Sequence, residues 1–487
     1  MASTPLRHAT VAERKNRGRP VRKPWPGGAG RGNLRRAMET RSPVPVPRLF
    51  KVAVAPLQAF FHLEASSGIL LALCAVAAMI WANSPWADSY VALFDAPLAL
   101  GLGSSLFHFT AREFINDGLM AIFFFVVGME IKRELAAGEL RTVSKAMLPL
   151  VAAVGGMVVP AAIYVALNAG TPALKGWAIP MATDIAFAIG CLTLLKGRVS
   201  HGLVVFLTAL AIFDDLGGIL VIAMFYGTGL HAEWLLGALG LTGVLWACNR
   251  YYVRNGVVYT VLGVALWYAL HHGGVHSTIA GVVVGMMIPA RPVRRGREVL
   301  ESLHGYIGQL LREPEDEAVR TGQLLHIEEQ LEDIEPPLTR FEHLWHGWVA
   351  YGIVPLFALA NSGISLKGMH LADLLKPLPL GVMLGLFVGK QVGIFLFTWV
   401  AGKAKLAAMP GRANMAQLHG VAVVAGIGFT VALFVAGLAF AQEPELLTEA
   451  KLGILLGSLV SAVVGYLLLR LGPMPRPQVQ PAPASTS

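Results

Sequence analysis

Leu203–Tyr226, LVVFLTALAIFDDLGGILVIAMFY, is the stretch on which the reading of this chain turns. About 20 apolar residues cross the hydrocarbon of a bilayer, so it is long enough to span. Its only acidic or basic side chains are Asp214 and Asp215, adjacent and at its midpoint. Each Asp at that depth costs roughly 2.5–3.5 kcal/mol on insertion scales, and a lipid-facing helix would not carry two. The pair therefore faces a polar cavity or a partner inside a bundle. Neighbouring residues on a helix point about 100° apart, so the two aspartates need not share a role.

Two other apolar stretches hold a charge at mid-length. Trp177–Leu195, WAIPMATDIAFAIGCLTLL, carries Asp184, and Leu378–Ala401, LPLGVMLGLFVGKQVGIFLFTWVA, carries Lys390. Three carboxylates and one amine at bilayer depth neutralise each other only where their helices touch. A buried ion pair that merely fixes helix register is one reading; a site for a small cation and protons is the sharper one.

Composition places these stretches in a polytopic membrane protein. Of 487 residues, 55% are hydrophobic and 14% charged, against about 25% charged in soluble domains. The net charge of +9 is local. Residues 1–51 hold a surplus of eleven positive charges, leaving the rest slightly acidic. Nucleic-acid binding is therefore not implied. The tail, rich in Pro, Gly and Arg, is expected to be a disordered cytoplasmic segment resting on anionic lipid. It lacks the apolar core and cleavage site of a secretory signal, while its Arg-rich, acid-poor make-up leaves a transit peptide as the alternative. Residues 471–487 are expected to be a second disordered tail. Cys74, Cys191 and Cys248 fall inside apolar stretches, where they act as small hydrophobes.

Twelve spans are expected, near 66–84, 115–131, 146–167, 177–195, 203–226, 233–249, 256–271, 275–289, 344–363, 378–401, 418–440 and 452–470. Residues 90–108, broken by Asp95, Pro97 and glycines, read as an extended excursion or hairpin on one membrane face. With the N-terminus inside, inner connections are rich in Lys and Arg (Lys132, Arg133, Arg250, Arg254, Arg291), while Gly227–Ala232 and His272–Gly274 carry neither. This positive-inside pattern places both termini in the cytoplasm.

Helix breakers then single out two spans. In the fourth, Pro180 precedes Ala182, Thr183 and Asp184; in the eleventh, Gly426 and Gly428 flank Ile427. Spans 3–5 and 10–12 are both triplets broken in the middle member and of opposite topology. Broken helices at corresponding positions of inverted halves point to a midplane transport site, with Asp184 and Lys390 able to compensate the exposed helix ends. The cytoplasmic loop 290–341 is expected to hold two short amphipathic helices, carried by Val299, Leu303, Ile307, Leu310 and then Leu324, Ile327, Leu331.

At this point the motifs match a family. AIFDDLGGILVIA, WAIPMATDIAFAIG, VGMEIKREL, GVHSTIAGVVVG, LFALANSGISL, VAGIGFTVALF and AKLGILLGSLVSAVVGY occur in order over about residues 58–470. Together they resemble the bacterial NhaA-type Na⁺/H⁺ antiporters. The resemblance implies an all-α polytopic fold of about 12 transmembrane helices, with inverted repeats and two crossed, discontinuous helices in the inner membrane. It implies that Asp214 and Asp215 bind Na⁺ and protons, that Thr183 is a site oxygen, and that Asp184 is the counter-charge of the crossed breaks at Gly426 and Gly428. Lys390 would pair with Asp214. Glu130, Lys132 and Glu134, with Glu342, His343 and His346, resemble a cytoplasmic mouth used in pH response. Two features depart from the pattern: Gln391 stands where proline is expected, leaving the helix after Lys390 more regular, and the loop before Glu342 is about two dozen residues longer.

The function expected is electrogenic exchange of cytoplasmic Na⁺ or Li⁺ for external protons, with no cofactor and no enzymatic step. A sodium-coupled organic-anion symporter is the alternative, and would need a roomier cavity. An intramembrane aspartyl protease could place Asp184 and Asp214 on neighbouring spans, but Gly426-Ile427-Gly428 is followed by Phe429, not by aspartate. His276 reads as a helix-entry residue rather than a proton carrier. Whether residues 90–108 join two copies in a homodimer is left open by the sequence.

Overall fold

The computed structural model describes residues 66–102, 105–195, 197–227, 229–292, 299, 301–303, 327, 334–405 and 414–473. The basic tail 1–51, residues 474–487 and most of the insertion 290–341 lie outside them. In that insertion Val299 and Leu303 are buried, as the apolar stripe requires.

The described chain is helical apart from one hairpin. Its helices, in order, are α1 (Ser66–Ala82), α2 (Ala87–Phe94), α3 (Met120–Ala136), α4 (Val143–Asn168), α5 (Ile185–Thr193), α6 (His201–Phe225), α7 (Ala232–Arg250) and α8 (Gly256–Gly273). They continue with α9 (Ile279–Met287), α10 (Pro337–Trp348), α11 (Val354–Asn361), α12 (Pro377–Leu384), α13 (Lys390–Lys403), α14 (Met415–Val424), α15 (Phe429–Ala439) and α16 (Pro444–Leu471). Strands β1 (Pro97–Leu102) and β2 (Ser105–Thr110) pair antiparallel, Pro97 opposite Thr110.

Among the described residues five helices are long and apolar enough to cross a membrane: Ala111–Ala136, α4, α6, the continuous Pro377–Lys403, and α16. Three bent pairs satisfy the same test together. The eighth expected span is helical only over the nine residues of α9, about 13 Å at 1.5 Å per residue, short of a full crossing. Residues 90–108 also divide differently from the expectation. Tyr90 to Phe94 belong to α2, whose Tyr90 and Phe94 rings lie one turn apart on its buried face with centroids 5.0 Å apart. Only the part beyond Pro97 is a hairpin. Thr110 then caps the next helix: its hydroxyl accepts from the Glu113 N–H while the Glu113 carboxylate accepts from the Thr110 N–H.

Small residues set the packing. Without a hydrophobic drive between helices in lipid, close backbone approach is the main source of affinity. Helices α4 and α13 meet at Gly155 and Gly393, where a Cβ on Gly393 would lie 2.1 Å from the Gly155 carbonyl oxygen. Helix α9 meets α3 in the same way, a Cβ on Gly281 falling 2.0 Å from the Ala121 oxygen. Helix α6 packs against α4 through Gly217 and Met157, which brings the aspartate doublet beside the helix pair that carries Lys390.

Candidate functional site

The site grows out of two interrupted helices. Before α5, a short 3₁₀ turn at Ile179–Met181 gives way to Ala182 (φ −74°, ψ 148°) and Asp184 (φ −82°, ψ 101°), both extended. Pro180 sits in that turn, and the two halves bend by 42°. Between α14 and α15 the chain is interrupted at Ala425–Gly428, with a bend of 44°. Gly426 seats this break on the turn before Lys390, where a Cβ would lie 2.4 Å from the Leu386 carbonyl oxygen, and Gly428 seats it on the other break, where a Cβ would lie 3.0 Å from the Ala182 carbonyl oxygen.

The two breaks touch, and each completes the other's hydrogen bonds. Asp184 N–H donates to the Ile427 carbonyl at 2.6 Å. Its Oδ1 accepts from the Phe187 N–H at 2.9 Å, capping its own helix. Its Oδ2 accepts from the Thr430 N–H at 3.1 Å and the Thr430 hydroxyl at 2.5 Å, capping α15. One carboxylate thus faces the positive ends of two helices. Thr430 was not singled out in the sequence, although it directly follows the Gly-Ile-Gly-Phe run.

Thr183 and Lys390 converge on Asp214. The Lys390 ammonium donates to Asp214 Oδ2 at 2.5 Å, and both side chains are fully shielded from solvent. Thr183 Oγ1 lies 2.8 Å from the same Oδ2 and 2.9 Å from the Ala425 carbonyl oxygen. Its single proton serves one of these acceptors at a time. Asp214 Oδ1 and Asp215 Oδ1 are buried and accept from no group among the described residues. Asp215 is itself buried, within electrostatic range of Asp214, Glu130, Asp184 and Lys390.

Lys390 owes its aim to the helix before it. Gly385–Gly389 form a π-helical turn, and Gly385 and Gly389 lie against Pro180 and Pro160. After Lys390 the helix runs unbroken to Lys403, regular at Gln391 as expected; the irregularity lies in the turn before it, and the Gln391 amide donates back to the Phe387 carbonyl at 2.7 Å. Such turns recur at functional sites.

The groups expected at a cytoplasmic mouth fall into two sets. Arg133 forms an ion pair with Glu342, which is 4% exposed, and another with Glu134 at 3.4 Å. Glu134 also accepts from the Glu139 N–H at 3.1 Å. Lys132 donates to the Ile288 carbonyl at 2.5 Å, at the C-terminal end of α9. Glu130 is half-buried on the same helix, within electrostatic range of Glu342, Arg133 and Glu134. His343 and His346 stand apart on the exposed side of α10, His343 lying 3.7 Å from Glu335. Arg133, which the sequence marks only as one of the basic residues of the inner connections, joins Glu134 to Glu342. His276 Nδ1 lies 3.0 Å from Thr278 Oγ1 and its ring meets Phe434 edge-on.

Among the described residues no three His, Cys, Asp or Glu side chains converge as a metal site. The oxygens at hand for a hard cation are the two aspartates, the Thr183 hydroxyl and the backbone carbonyls of the break.

Residues 58–469 match the family described as Na⁺/H⁺ antiporter 1. The chain is 71% identical over 432 residues to the Na⁺/H⁺ antiporter NhaA 1 of Myxococcus xanthus, covering 89% of this chain and 96% of that protein. It is 58% identical over 446 residues to the Na⁺/H⁺ antiporter NhaA of an Anaeromyxobacter species, covering 91% and 98%. To the NhaA antiporter of Rhodopirellula baltica the identity is 42% over 450 residues, covering 91% and 99%. The chain belongs to the NhaA-type Na⁺/H⁺ antiporter family.

Proposed function

We propose that this protein is an electrogenic Na⁺/H⁺ antiporter that exchanges cytoplasmic Na⁺ or Li⁺ for external protons by competition at Asp214 and Asp215. The observation that carries the mechanism is the fully buried Lys390–Asp214 pair beside an Asp215 oxygen without a donor among the described residues. Carboxylates in a low-dielectric site resist bearing charge alone, and two close together resist it further. They exchange protons as a coupled pair. A bare Na⁺ needs oxygen ligands and negative charge, so it favours the ionised form that protons remove. Ion and protons compete for the same oxygens.

The Thr183 hydroxyl supplies a local switch. While its proton points to Asp214, that oxygen is committed to Thr183 and Lys390. When the proton turns to the Ala425 carbonyl, a Thr183 lone pair and Asp214 become available to a cation. Release of Asp214 by Lys390 as the ion binds, with loss of the lysine's proton, makes more than one proton leave per ion. Alternating access then requires that the Na⁺-bound and protonated forms move between faces while the empty, charged form does not.

This reading includes twelve spans in the inner membrane, inverted repeats with crossed breaks, cytoplasmic termini, anionic lipid under the basic tail, and pH control by Glu130, Glu134 and Glu342. The test is proton release from purified, weakly buffered protein on adding Na⁺ at fixed pH. Release should fall to near zero in Asp214→Asn and Asp215→Asn. Undiminished release in the double variant would refute the competition, and so would peptide or organic-anion substrates that replace Na⁺ in driving the response.

A further inference from the structure

The start of α15 has a third support, and it comes from outside the two broken helices. An α-helix begins with N–H groups that have no partner of their own. Thr430 N–H is taken by Asp184. Phe429 N–H, one residue earlier, is taken by the hydroxyl of Ser458 on α16 at 3.1 Å. A serine inside a helix ordinarily bonds back to its own preceding turn; this one accepts from a different helix, and at bilayer depth there is no water to replace it. Helix α16 is held close on both sides of Ser458, by α14 at Gly465 and by α12 at Gly453. A Cβ on Gly465 would lie 3.0 Å from the Val424 nitrogen, and one on Gly453 would lie 2.8 Å from the Pro379 carbonyl oxygen. Ser458 is therefore a fixed point, buried at 5% exposure.

The bonds then run without interruption to the ion site. Ser458 fixes Phe429; the next residue, Thr430, presents both its N–H and its hydroxyl to Asp184 Oδ2. The residue before Asp184 is Thr183, whose hydroxyl reaches Asp214. We infer that Ser458 is a positioning residue for cation binding: it sets the first turn of α15 against Asp184 and thereby holds Thr183 in register with Asp214. It touches no ion itself. The inference rests on the antiport reading above.

The experiment uses the full-length protein in everted vesicles and in purified form, comparing Ser458→Ala, Ser458→Thr and Ser461→Ala with the parent. Loss of the Ser458 hydroxyl leaves the Phe429 N–H buried without an acceptor, and its strain falls on Asp184. The Na⁺ concentration for half-maximal exchange should rise about tenfold, the factor corresponding to one buried hydrogen bond. The maximal rate should stay within about twofold, since the proton-binding carboxylates remain in place. Ser458→Thr keeps an acceptor oxygen and should restore the parent's half-saturation. Ser461 is also buried on α16 but its hydroxyl has no partner among the described residues, so Ser461→Ala should leave half-saturation unchanged. A Ser458→Ala protein with the parent's half-saturation overturns the inference. So does one that loses maximal rate and thermal stability together at constant half-saturation, which marks packing alone. If the parent itself releases no protons on adding Na⁺, the antiport reading fails instead, which separates the two.

Discussion

Replacing Lys390 by methionine isolates the charge at the centre of the protein. The lysine stem runs beside Gly156 on α4, and methionine keeps most of that apolar length, so little cavity term is added. What is lost is an ammonium 2.5 Å from Asp214 Oδ2, with both side chains at 0% exposure. Removing one partner of a buried pair costs about 3–5 kcal/mol because the other charge stays behind uncompensated. That figure applies only while Asp214 remains ionised. A carboxylate left alone at that depth takes up a proton instead, and each pH unit of proton supply offsets about 1.4 kcal/mol. In the folded variant the protonated form is the favoured one, so its stability is retained at acid pH and lost as pH rises. Thermal unfolding in detergent should therefore show Lys390→Met close to the parent under acid conditions and well below it under alkaline ones. Asp214→Asn added to Lys390→Met should recover most of the alkaline loss, because no charge is then stranded. In vesicles the pH of half-maximal exchange should move upward, since Na⁺ must displace a better-held proton. A variant that unfolds like the parent at every pH, or a double variant no more stable than the single, would refute the pairing as the element that holds these helices.

Two further outcomes follow from the packing and the mouth. Gly426→Ala places a Cβ 2.4 Å from the Leu386 carbonyl oxygen and 2.7 Å from Ser461 Oγ, so overpacking of about 1–3 kcal/mol should lower its unfolding temperature, while Gly218→Ala, with nothing within 4 Å, should match the parent. Arg133→Gln removes the cation shared by Glu134 and Glu342 and should move the pH of half-activation while keeping maximal turnover within about fivefold; His343→Ala and His346→Ala, both exposed, should move it less. Equal shifts in all three variants would count against Arg133 as the organiser.

How much of this could be read from residues alone depended on the kind of interaction. Charges in mid-span are expensive, so Asp184, Asp214, Asp215 and Lys390 announced themselves, and the cost argument required partners before any geometry was known. Glycine and proline in apolar stretches marked both breaks within a residue or two. The geometry of the breaks was less visible. Thr430 is an ordinary helix residue by composition, and its link to Asp184 depends on two helices meeting, which local sequence does not encode. The same holds for Ser458, whose partner lies 29 positions away. The π-helical turn before Lys390 was missed because the expectation weighed Gln391 alone and not the tight seats of Gly385 and Gly389 on prolines of other elements. At the mouth, matching by motif gathered His343 and His346 with Glu342, although successive positions on a helix point in different directions. Only Glu342 faces inward.

The three carboxylates at the centre differ in what donates to them, and that difference assigns their order of use. Asp184 accepts three hydrogen bonds, two from backbone N–H groups of different helices and one from Thr430. A cation competing for it would have to uncap two helix starts at once, so in the proposed cycle Asp184 would stay fixed as scaffold. Asp214 is held by one ammonium and one hydroxyl; both can turn away, and the hydroxyl has the Ala425 carbonyl as its alternative. Asp215 Oδ1 has no donor among the described residues. A cation entering the proposed site would therefore meet least resistance at Asp215 and next at Asp214, and would gain nothing from Asp184. In the proposed cycle Asp215 would be the point of first contact and Asp214 the point of commitment, because only the second step would break the Lys390 bond. Under the proposed competition both aspartates would couple ion to protons, with the opening of the Lys390 bond as the committing step, and the breaks around it would keep Thr183 and Asp184 still while it opens.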